Sequence, residues 1–133
     1  MPWQCRLVDS YDERKALKDA QPDGRLPIGT MWHDEDLYSP EGTPWEPNCF
    51  LSVQYFRDHA GKRHALWVRL PDGHDFCLDS ACYDHGRDPN GNGWTVTGEA
   101  PNITVSPSIN CIGSYHGWLQ NGVLSDDVEG RRY

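Results

Sequence analysis

Thirteen glycines and ten prolines are spread along 133 residues instead of being gathered into one tract. Nothing else in the sequence constrains the fold as strongly. Glycine frees φ, whereas proline fixes it and removes a backbone donor, so each interrupts a regular element. The intervals between them are short, which predicts strands joined by tight turns. One helix is expected, with Asp12 capping a segment from Glu13 to Ala20 before the Pro22-Asp23-Gly24 turn. At two turns it needs tertiary contacts to persist. A short strand is expected over Leu26 to Trp32 and a long surface loop over 33–49.

From Phe50 onward strand patterns dominate. Ala65 to Leu70 and Asp75 to Asp79 flank Pro71-Asp72-Gly73-His74, a hairpin with a four-residue loop. Residues 88–93 form a loop, and further strands are expected at Trp94 to Thr97 and at Asn102 to Ser106, the latter ended by Pro107. Asn121-Gly122 favours a type I′ turn, giving a last hairpin over Trp118 to Leu124. The fold class expected is mainly β: a small antiparallel, sandwich-like domain with hairpins and one short N-terminal helix. It is a single domain over 1–133, with a helix and loop region at about 1–49, a β core at about 50–124 and a tail at 125–133.

Hydrophobic residues make up only 37%, but six Trp, six Tyr and three Phe can organise a modest core. Trp94 and Trp118 are expected inside it. The formal charge of −8 comes from dispersed acids, and the basic residues are dispersed too, adjacent only at Arg14-Lys15, Lys62-Arg63 and Arg131-Arg132. A nucleic-acid partner is therefore not expected, since phosphate binding needs a concentrated basic patch. No secretory signal or apolar run long enough to span a membrane is read, so the expected location is a cytoplasm and the expected partner a protein.

The five cysteines are an odd number, read as thiols or metal ligands. Cys77 and Cys82 form one pair, and Cys111 and His116 a second with the same four-residue gap. Two clusters of two ligands suit a structural zinc ion, with His74 and His85 as alternates. If Phe76 and Leu78 face the core, alternation turns Cys77 the other way with Asp75 and Asp79. Two other readings stay open. The thiols can be ordinary packing groups, with His116 anchoring the last hairpin. Alternatively, Cys111 and His116 can act as nucleophile and base, making the protein a zinc-dependent or cysteine-based enzyme. Cys5 and Cys49 are expected as plain thiols, and His33, His59 and His64 as solvated side chains.

The stretch Gly93-Trp94-Thr95-Val96-Thr97-Gly98, then Pro101-Asn102-Ile103-Thr104-Val105-Ser106-Pro107-Ser108-Ile109, then His116-Gly117-Trp118-Leu119 resembles a family of small proteins encoded by tailed bacteriophages and prophages. Leu70-Pro71-Asp72-Gly73 and Gly29-Thr30-Met31-Trp32 fit the same pattern, so the likeness covers about 27–124 and is most specific over 93–124. More distantly, the chain is similar to zinc-site proteins encoded beside bacterial ubiquitin-like conjugation genes. There Cys111 and His116 match a metal-binding pair, and Cys77 and Cys82 match only in approximate position. The resemblance implies a phage-encoded protein, and the acidic, turn-rich sequence without catalytic motifs leads to the expectation of a non-catalytic interaction protein: either an accessory factor acting on a host protein in the host cytoplasm or a minor virion component.

Overall fold

The first seven residues join two sheets. Trp3–Gln4 (β1) pairs in one and Arg6–Leu7 (β2) in the other, and Cys5 between them is buried. The computed structural model describes residues 1–83 and 86–133. After β2 comes a helix, Tyr11–Asp19 (α1). Its cap is Ser10, whose Oγ accepts from the Glu13 N–H at 3.3 Å, so Asp12 lies inside the first turn rather than before it. There its carboxylate faces the positive end of the helix. α1 buries none of its own residues, but Arg14 Nη1 ties it back to the Val8 carbonyl at 2.8 Å.

The crossover through α1 lets Thr30–His33 (β3) run parallel to β2. Val53–Asp58 forms a second helix (α2), which the sequence reading missed; the Oγ of Ser52 accepts from the Tyr55 N–H at 3.1 Å and caps it. Leu66–Arg69 (β4) and Asp75–Cys77 (β5) make the expected hairpin, closed by a Leu70 N–H donated to the His74 carbonyl. The sheet order is β2-β3-β4-β5. Cys82–Tyr83 (β6) and Gly86–Arg87 (β7) pair as a small separate ladder.

The remaining strands are Thr95–Thr97 (β8), Thr104–Asn110 (β9), His116–Gln120 (β10) and Val123–Leu124 (β11), and their sheet order is β1-β11-β10-β9-β8. Asn121 and Gly122 both have positive φ, 48° and 76°, as a type I′ turn requires. Pro107 does not end its strand. β9 continues to Asn110, and the register with β10 shifts between Gly117 and Leu119, so that Gly117 faces Ile109 while Leu119 faces Val105. A bulge of this kind accommodates a residue with no N–H to give to the ladder.

Met31, Leu66 and Val68 of one sheet meet Val96, Val105, Ile109, Leu119 and Leu124 of the other in the main core. Each such fully buried side chain contributes roughly 1.5–3 kcal/mol. The other face of β4 and β5 is covered as well: Ala65 and Cys77 pack with Leu51 and with Tyr55 of α2 in a second core. The architecture is thus mainly β, two sheets face to face, with a helix on the outer side of one. Trp94 is buried as expected. Trp118 is not; it is 42% exposed, because Leu119 takes the inward position and alternation sends its neighbour out. The 125–133 tail packs along β10: Ser125 and Val128 donate N–H groups to the Trp118 and His116 carbonyls, and Asp127 is buried.

Candidate metal centre

Pro71-Asp72-Gly73-His74 turns because Gly73 supplies φ 98° and Asp72 accepts from the His74 N–H two residues on, at 3.0 Å. In the other sheet, β9 and β10 are joined by a second turn. There Cys111 donates its N–H to the Tyr115 carbonyl, Ser114 donates to the Cys111 carbonyl, and Gly113 has φ 81°. The two turns meet at Asp72. Its Oδ2 accepts from Ser114 Oγ at 2.7 Å, from the Tyr115 N–H at 3.3 Å and from His74 Nδ1 at 2.9 Å. The carboxyl is 2% exposed although it sits in a turn. Burial pushes its pKa upward, but hydrogen bonds from the His74 N–H, Ser114, the His74 ring and the Tyr115 N–H outweigh that, and the net shift is downward.

Asp72, His74 and Cys111 each offer a donor atom, and these lie within 4.8 Å of one another. A tetrahedral ion with bonds of about 2.0–2.3 Å holds its ligands about 3.5 Å apart, so the side chains need to close in by only about an ångström. Burial, followed by the charge of Asp72 and a hydrogen bond to it, pushes the Cys111 thiol up to about 11. His74 is the exposed member. With its Nδ1–H given to Asp72, its other nitrogen keeps a free lone pair. The cluster can hold a metal ion. Beside it opens a cavity of about 360 Å³ on which His74, Cys82, Trp94, Asn110 and Cys111 all border. The Oδ1 of Asn110 is buried there without a hydrogen-bond partner.

Among the described residues this is the one such group, and it overlaps the expected ligand set only at Cys111 and the alternate His74. Cys82 borders the neighbouring cavity. Cys77 does point away from Phe76 and Leu78, but that direction leads into the second core, where burial raises its thiol pKa far above the ordinary value. Asp79, expected beside it as a polar neighbour, is buried against Arg63. His116 binds elsewhere: its ring bonds to Ser108 Oγ at 3.0 Å and to Glu129 at 3.3 Å, anchoring the tail. The ring's hydrogen bonds thus go to Ser108 and Glu129 and not to the Cys111 thiol, so no nucleophile–base pair is formed there. His85 lies outside the described residues.

The sequence reading missed Asp72. Its signal was the Pro-Asp-Gly turn, which predicts a carboxylate folded onto local N–H groups but not what else arrives there. Two of the histidines expected in solvent differ as well. His59 donates its Nε2–H to the Val96 carbonyl, 2.9 Å away, and His64 Nδ1 is buried without a partner. Cys5 is buried, and Cys49 packs against the second core. Set against known family models, curated proteins and solved structures, the chain finds no match in any of the three.

Proposed function

We propose that this chain is a non-catalytic interaction protein that holds one structural zinc ion through Asp72, His74 and Cys111, with Cys82 as the fourth donor. The observation that carries this reading is the closeness of three donor atoms contributed by two hairpin turns, one from each sheet. An ion between them clamps the end of the sandwich by bonds that the unfolded chain cannot make, which is how a small domain gains stability from metal. Thiolate, imidazole and carboxylate together form a zinc-type donor set. Cys82 borders the same cavity as His74 and Cys111, which supports its place as the fourth donor.

The surface supports an interaction role. Phe50, Trp67 and Trp32 form a row of nearly parallel rings with centroids 6.2 and 6.4 Å apart, and Arg14 lies over the end of it, 5.6 Å from the Trp32 ring. Phe50 and Trp118 are each 42% exposed. Aromatic side chains left on a surface are common anchors for protein partners. The likeness of 93–124 to tailed-phage proteins supports a phage-encoded origin, with a host protein or a virion protein as partner.

Metal analysis of protein purified from zinc-supplemented cells tests the core of the proposal. About one equivalent of zinc is expected, lost in Cys111→Ser and Asp72→Asn but kept in Cys77→Ala. A folded wild-type protein without zinc would overturn it. Mass spectrometry of purified particles separates the two partner classes, because a virion component must co-purify at fixed stoichiometry.

A further inference from the structure

The other side of the same turn carries a different chemistry. A β-carbon built on Gly73 would sit 2.6 Å from Arg25 Nη1 and 3.4 Å from Arg69 Nη2, so the two guanidinium nitrogens lie within about 6 Å of each other, the sum of those distances. They border a cavity of about 470 Å³, whose apolar wall includes Trp3, Leu26, Ile28 and Pro71. Arg69 is 7% exposed and has one recorded ion pair, Nη1 to Asp75 at 3.2 Å. Among the described residues the Arg25 guanidinium has none.

Two further carboxylates border the cavity, and both are already engaged. Asp23 accepts from the Arg25 backbone N–H at 3.0 Å, and Asp72 is occupied by His74, Ser114 and Tyr115. What faces the cavity is donor capacity rather than excess positive charge: among the described residues no protein group accepts from the Arg25 guanidinium, and an oxyanion can. The guanidinium fork is shaped for the paired oxygens of a carboxylate or phosphate.

We propose that Arg25 and Arg69 form a binding site for a small oxyanion, the carboxylate or phosphate group of an organic ligand whose apolar body rests against Trp3 and Ile28. The site adjoins the metal cluster through Asp72, but its two guanidinium donors are not part of that cluster. Its test is an NMR titration of the protein as purified with inorganic phosphate and, separately, with acetate. Saturable shifts of the Gly73 amide and the Arg25 Nε are expected with at least one of the two. Phosphate alone, acetate alone or both would each support the site and assign its chemistry. Arg25→Gln, a change at an exposed side chain, is expected to weaken binding about tenfold or more while leaving the rest of the spectrum in place. Shifts that stay linear with both anions, or an Arg25→Gln variant that binds as well as wild type, would overturn the assignment.

Discussion

Asp79 is almost fully buried, and three donors meet it there. Arg63 reaches it with both terminal nitrogens, at 2.6 and 3.1 Å, and the Leu66 N–H donates at 2.8 Å. Arg63 also lies against the Tyr55 ring, and its carbonyl accepts from the Tyr55 hydroxyl, so one carboxylate organises the second core. Removing it leaves a largely buried guanidinium without its partner, which is much worse than never having had the pair. Asp79→Ala is therefore expected to cost about 3 kcal/mol, measured by urea unfolding. Arg63→Met in the Asp79→Ala background should recover part of that loss; no recovery would mean that the carboxylate matters chiefly through the Leu66 N–H.

Among the elements, β10 shows most clearly how one residue type can be imposed by a neighbour. A β-carbon on Gly117 would collide with the phenol of Tyr115 and come within 2.8 Å of Ser125 Oγ. Tyr115 cannot yield, since it is fully buried and its hydroxyl donates to the Ser125 carbonyl at 2.7 Å. Gly117→Ala should then destabilise by about 1–3 kcal/mol, read as a lowered melting temperature. Gly113→Ala is the instructive comparison. Nothing lies within 4 Å of its β-carbon, so any penalty there comes from φ 81° alone and should be smaller. The α2 helix makes the complementary point. At six residues it has too short a period for a sequence to display, and it exists because Ser52 caps it and Tyr55 is buried beneath it.

Across the whole molecule, α2 is joined to the far sheet through His59, whose ring bonds to the Val96 carbonyl in β8. Burial, reinforced by the charge of Arg63, lowers the His59 pKa below 6.5, and Asp79, the Val96 bond and Asp58 only partly oppose this. A depressed folded-state pKa means that the unfolded chain binds the proton more readily. The associated stability is complete above about pH 6.5 and drains away as pH falls below it. His59→Gln can keep a donor to Val96 but cannot titrate. The fall in stability between about pH 6.5 and 5 should therefore be shallower in the variant than in wild type; identical slopes would show that other groups set the acid limit.

The amino-acid order alone determined the local grammar. Asn121-Gly122 demanded a type I′ turn, Pro71 to His74 a hairpin loop, and the β-rich class followed from the spacing of glycine and proline, because these constraints act within a few residues. It also determined that Cys77 would point away from Phe76 and Leu78. Only tertiary structure decided what lay in that direction: a second hydrophobic layer under α2 rather than solvent. The same holds for the candidate metal centre. Asp72, His74 and Cys111 come from two turns that no local pattern links, and they meet because the two sheets stack with those turns at one end. The N-terminal strands are another case, since two-residue segments carry no readable period and take their form wholly from the partners they pair with. Where a property depends on neighbours close along the chain, the sequence displays it. Where it depends on neighbours brought together by packing, only the folded molecule does.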